Sequence, residues 1–144
     1  MTGQQTMKEA PNNDIILTTK NLKEATTLIE DSLIAAGIRT AMLIDSAGNI
    51  ILNVTREGSI EELDTMSLAA LTAASLAATT QIAQIIGEED FSILFHKGEN
   101  TNIHFSRAGD NLILVSIFGK NVSLGLVRCR VEELTGAFNK HFEG

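Results

Sequence analysis

The sequence predicts an α+β fold: an α/β/α sandwich in which a five-stranded antiparallel sheet carries one long helix on one face and two helices on the other. Three observations predict it. The apolar spacing switches between helical and alternating periods in the order αββαβββα. Glycines at Gly37, Gly48, Gly58, Gly87, Gly98, Gly109 and Gly119 fall where the period changes. Met42-Leu43-Ile44 and Leu112-Ile113-Leu114-Val115 are apolar on both faces, as strands lying between two covering layers must be.

The elements follow in order. Asn21 with Glu24 has the form of a capping box, Leu22, Ala25, Ile29, Leu33 and Ala36 recur at helical steps, and Gly37 ends the first helix. Arg39–Asp45 and Ile50–Val54 are two apolar runs joined by Ser46-Ala47-Gly48-Asn49, a hairpin in which Asp45 is expected to satisfy turn amides. A second capping box, Ser59 with Glu62, opens a helix of about seven turns that runs to Gly87. Phe91–Lys97, Thr101–Arg107 and Leu112–Phe118 then form a three-strand meander, with Ile103 and Phe105 on one face and Asn102, His104 and Ser106 on the other. A last helix begins near Ser123 and carries Leu124, Val127, Val131, Leu134, Phe138 and Phe142 on one stripe. The first and last strands belong inside the sheet.

With 144 residues, 44% of them hydrophobic and 20% charged, the chain suits one globular domain. That domain spans residues 14–144, after a polar, flexible tail over residues 1–13. A net charge of −7 disfavours nucleic acid and anionic membrane surfaces. One cysteine, Cys129, supports neither an internal disulfide nor a cysteine metal site, and the first twenty residues hold no apolar signal segment. A reducing cytoplasm fits both.

No charge occurs from Thr65 to Ile86. Its serines, threonines and glutamines make that helix too polar for a membrane span, so protein must cover it. At 100° per residue, Leu68, Leu71, Ser75, Ile82 and Ile86 form a bulky face suited to the sheet. Ser67, Ala70, Ala73, Ala74, Ala77 and Gln81 lie opposite, a small uncharged stripe that a partner surface can approach closely. An exposed helix chosen only for alanine's helix propensity would carry Lys and Glu for solubility.

Enzyme signatures fail. Gly119-Lys120 lacks the spacing of a phosphate-binding loop. His96 and His104 flank the Gly98 turn without a third metal ligand and read as edge-strand histidines beside solvent. Cys129, between Arg128 and Arg130, reads as a buried or half-buried small hydrophobe. No catalytic residue, cofactor site or metal site is expected.

Several strings in this order resemble the Roadblock / dynein light chain family, and within it the bacterial MglB-like branch. They are Met42–Ile51 (MLIDSAGNII), Asp64–Ala73 (DTMSLAALTA), Ile85–Phe91 (IIGEEDF), Phe95–Asn100 (FHKGEN) and Ser123–Arg128 (SLGLVR). The resemblance spans about Asn21 to Phe142 and implies a Roadblock/profilin-like fold. It implies a homodimer in which the third strands pair edge to edge and the long helices pack antiparallel, with Ser67, Phe91, Ile93 and Phe95 at the interface. It further implies that the dimer binds a small Ras-like GTPase of the MglA type in its GTP state and stimulates hydrolysis without an arginine finger, in the setting of cell polarity and gliding motility. Carried over by position, the GTPase-binding residues are Ala70, Ala73, Ala74, Ala77 and Gln81, with Gln81 where the branch often has glycine. Many members extend beyond the last helix in an acidic tail, whereas this sequence ends at Gly144. The alternative under the same resemblance is a scaffold that assembles a motility, polarity or signalling complex and changes no rate.

Overall fold

A computed structural model describes residues 18–56, 63–91, 94–109 and 111–142. The tail and its boundary at residue 13, the capping box at Ser59 and Glu62, Gly58 and Ile93 lie outside them. The order of elements is the expected one. Helix α1 (Thr19–Ile29) widens into a π-helical turn, Glu30–Ile34, and is followed by strands β1 (Thr40–Asp45) and β2 (Ile50–Thr55). After α2 (Thr65–Ile85) come β3 (Leu94–Lys97), β4 (Thr101–Ala108) and β5 (Leu112–Gly119), and α3 (Leu124–Phe142) closes the domain.

Helix starts are set by single side chains. The cap of α1 is Thr18 and not Asn21: its extended backbone aims Oγ1 at the Asn21 N–H, 3.2 Å away, which places Asn21 inside the first turn. Asp64 caps α2, Oδ1 accepting from the Ser67 N–H at 3.1 Å and Oδ2 from the Ser67 hydroxyl at 2.7 Å. The 21 residues of α2 make about six turns. Ser123 caps α3 through Oγ, which accepts from the Leu126 N–H at 3.2 Å.

All neighbours in the sheet are antiparallel, in the order β2-β1-β5-β4-β3, with β1 and β5 in the interior as their two-sided apolar sequences require. Alternation divides the interior into two cores. Ala41, Leu43, Leu112, Leu114 and Phe118 face one way and pack with Ile29 of α1, Leu33 of the π-helical turn, and Val127, Val131, Leu134 and Phe138 of α3. Met42, Ile44, Phe105, Ile113, Val115 and Ile117 face the other way, against α2. The long helix therefore has one face of the sheet to itself.

The two edges differ. In β2, Ile44 pairs with Ile50 and Leu43 with Leu52, so Ile51 is an extra, bulged residue. Such a bulge twists an edge away from regular pairing. Short β3 is regular against β4, from Leu94 opposite Phe105 to Lys97 opposite Asn102.

Helix α2 meets the sheet through a different face from the expected one. Its buried strip is Ala69, Thr72, Ala73, Leu76 and Ala83, while Leu71 is 68% exposed and Ile82 and Ile86 are also turned outward. The physical reason lies across the interface. The sheet supplies the volume with Met42, Ile44, Phe105, Ile113, Val115 and Ile117, so short side chains on the helix let it lie close. The same closeness appears at the β1–β2 turn, where a Cβ added to Gly48 (φ +91°) would sit 3.0 Å from the Ala70 Cα.

Candidate functional site

The outer face of α2 is the feature that sets this molecule apart from an ordinary two-layer core. Met66, Leu71, Ile82 and Ile85 are large, apolar and more than half exposed, Ile85 reaching 83%. Ala70, Ala74, Ala77 and Gln81 are exposed beside them, as is Ser67. No Lys, Arg, Asp or Glu interrupts the helix. Contiguous exposed apolar surface of this kind is uncommon on a lone globular domain.

Four of the five expected partner-face residues lie there. Ala73 does not: it points into the sheet, 7% exposed, because the helix rests on its small residues. Leu71, Ile82 and Ile86 were expected on the sheet side and are exposed instead, and Met66 and Ile85 had been placed on neither face. A usable signal was present in the sheet, whose inward residues on this side are nearly all large.

The strand side of the site is mixed. Phe91 is exposed just before β3. Phe95 instead turns toward the α1/α3 core and stacks on Phe118, ring centroids 6.2 Å apart, which leaves mainly the β3 backbone for edge pairing.

Polar contacts fix the C-terminal end of α2. Arg107 on β4 reaches up, its Nε 2.6 Å from Asp90 Oδ2 and its Nη2 donating to Thr80 Oγ1 at 2.7 Å. Asp90 Oδ1 accepts from the Phe91 N–H at 2.9 Å and from the Thr80 hydroxyl at 3.4 Å. Burial alone would raise the Asp90 pKa, but the Arg107 hydrogen bond and charge, with the Phe91 amide and Thr80, outweigh it and hold the carboxyl below its ordinary value.

Elsewhere, Asp45 plays its expected turn role. Its Oδ1 accepts from the amides of Ala47 and Asn49, at 3.0 and 2.8 Å, and its Oδ2 from the Asn49 side chain at 2.9 Å. The Asn49 side-chain bond is the largest cause of its lowered pKa.

Of the two histidines, His96 lies as expected and His104 does not. His96 is exposed on the edge, its ring against Phe105 on the α2 side. His104 lies on interior strand β4, 5% exposed on the opposite face, because its neighbours there are Phe95 on β3 and Ser116 on β5. Burial first, and the charge of Arg128 second, lower its pKa. The two cannot share a metal, and the described residues contain no group of three candidate ligands. Cys129 is exposed, not half-buried, because the α3 stripe that packs inward is Val127, Val131 and Leu134. Helix α2 is long and apolar enough to cross a membrane by composition, yet it packs on the sheet through its Ala69–Ala83 strip.

Comparison with known proteins agrees with this fold. The Roadblock/LC7 domain family matches residues 24–118. The gliding protein MglB of Thermus thermophilus superposes with a TM-score of 0.80 at 26% identity, covering 90% of this chain and 96% of that one. MglB of Myxococcus xanthus gives 0.72 at 32% identity, covering 81% and 93%. An MglB in a tetrameric arrangement gives 0.80 at 26% identity, covering 90% and 95%. At the level of fold alone, profilin II of Acanthamoeba castellanii gives 0.57 at 16% identity, covering 79% and 95%. No curated protein matches the sequence.

Proposed function

The chain belongs to the Roadblock/LC7 family, in its MglB-like branch, and we propose that it regulates a small Ras-like GTPase of the MglA type. It binds the GTP state as a homodimer and stimulates hydrolysis without having catalytic residues of its own. The observation that carries this reading is the uncharged, exposed outer face of α2.

That face suits a regulator better than a catalyst. It offers aliphatic contact and the amide of Gln81, and with no Lys or Arg between Thr65 and Ile86 it has no cation to insert beside a γ-phosphate. Rate stimulation then comes from the GTPase's own groups. A partner that binds the hydrolysis-competent arrangement of the switch loops more tightly than the relaxed one raises its population, and differential affinity alone is enough.

Self-association fits the sheet. The bulge at Ile51 guards the β2 edge, so regular antiparallel pairing of two copies is left to β3, with the neighbouring α2 helices brought side by side. The MglB with a tetrameric arrangement is a relative that self-associates, in line with this reading. An exposed single Cys129 suits a reducing cytoplasm, where the reading places the protein.

The test is single-turnover GTP hydrolysis by the GTPase with parent protein and with Ala77→Arg. Ala77 is exposed, so the variant folds, while a buried-on-docking guanidinium opposes binding. Loss of stimulation at unchanged thermal stability is expected. Equal stimulation by the variant contradicts the assigned face, and binding without any rate change by the parent supports the scaffold alternative.

A further inference from the structure

We propose that Arg107, Asp90 and Thr80 form a polar strut that sets the angle of the C-terminal end of α2 and of Phe91, and so positions that corner for docking. The inference rests on the functional reading above and adds positioning residues to it.

The strut is needed because apolar packing fades along the helix. Ala69, Thr72, Ala73 and Leu76 anchor the first three turns, whereas beyond Leu76 only Ala83 is buried among the described residues of α2. Ile82, Ile85 and Ile86 point outward and hold nothing in place within one copy. A helix end with so little buried surface is free to open locally unless something else fixes it.

Arg107 is placed to do that. It extends from β4 on the α2 side, since it follows Ile103 and Phe105 in alternation, and its fork reaches the helix at Thr80 and the following loop at Asp90 together. Asp90 passes the constraint on, because the oxygen not used by the Arg107 Nε accepts the Phe91 N–H. Three elements are thereby joined within 3.4 Å: the helix, the loop that leads to β3, and the strand beneath. The Gly87 turn completes the segment, its N–H donating to the Gln84 carbonyl at 3.1 Å and that of Glu88 to the Ala83 carbonyl at 2.8 Å.

The pair is partly exposed, with side chains 37% and 28% accessible, so its value lies in geometry more than in stability. Arg107→Met keeps the length of the stem and removes the fork. Arg107→Lys keeps the charge but cannot hold Asp90 and Thr80 at once, and so gives partial rescue.

The experiment measures two quantities on full-length parent, Arg107→Met, Arg107→Lys, Asp90→Asn and the double variant Arg107→Met/Asp90→Asn. One is backbone amide exchange at Glu88 and Phe91 in the protein alone. The other is the concentration giving half-maximal stimulation of GTP hydrolysis, kept separate from the maximal rate. Exchange faster than the parent's, a half-maximal concentration raised by about threefold to tenfold at unchanged maximal rate, and a double variant no worse than either single one are expected. A merely stabilising bridge would not divide the two kinetic quantities. Unchanged exchange in Arg107→Met, or unchanged half-maximal concentration, or additive single variants overturn the strut. A parent that neither binds nor stimulates the GTPase overturns the functional reading, and the docking role of the strut with it.

Discussion

Leu71→Ala separates what the fold needs from what a partner needs. Complete burial of a leucine side chain is worth about 1.5–3 kcal/mol. Leu71 is 68% exposed, so within one chain roughly a third of that, about 0.5–1 kcal/mol, belongs to folding. The remaining two-thirds, about 1–2 kcal/mol, is realised only when the outer face of α2 is covered, which corresponds to a factor of about five to thirty in affinity. Leu76, 3% exposed five residues further on, is the opposite case, and Leu76→Ala costs about 2–5 kcal/mol of stability. Urea unfolding followed by far-ultraviolet circular dichroism gives the stabilities, since the chain has no Trp or Tyr for a fluorescence readout. A titration of GTPase stimulation gives the affinities. If Leu71→Ala destabilises the fold as much as Leu76→Ala, or leaves the titration untouched, the assignment of faces on α2 is wrong.

Two further outcomes follow from the same structure. Gly48→Ala is expected to cost more than about 1 kcal/mol, because it combines a positive φ with a Cβ 3.0 Å from the Ala70 Cα, and backbone on both sides cannot yield; chemical unfolding of the variant checks it. His104 makes the fold acid-sensitive: folding holds its pKa below the ordinary 6.5, so the unfolded chain binds more protons as pH falls through that value. Its contribution is present above about pH 6.5 and lost below, whereas Asp45 and Asp90, held under 3.8, act only in a lower window. Urea midpoints at pH 8 and pH 5.5 should converge in His104→Leu relative to the parent. A parent and variant with the same pH dependence would contradict the placement of His104.

Local chemistry was legible in the sequence and long-range chemistry was not. Asp45 was readable because its partners, Ala47 and Asn49, lie within four residues of it in the turn. The interior places of β1 and β5 were readable because a strand covered on both faces must be apolar at consecutive positions. The orientation of α2 was not. Alanine and threonine dominate the helix, so periodicity barely distinguishes one face from another, and the choice is made by the large residues of the sheet opposite. The Arg107–Asp90–Thr80 contact escaped for a different reason: its members are 17 and 27 residues apart, joined only by the register of β4 beneath the helix. His104 was read as an edge residue because the sequence orders the strands along the chain, not across the sheet, where β4 lies inside β3.

As a dimer joined through β3 and α2, this chain is proposed to change the rate at which a small Ras-like GTPase hydrolyses GTP. The decisive experiment is single-turnover hydrolysis with and without the protein, at a concentration where light scattering has fixed its mass. Faster hydrolysis by the GTPase in the presence of a species of twice the 15.5 kDa chain mass is expected. An unchanged rate in the presence of that dimer, whether or not it binds the GTPase, would contradict it.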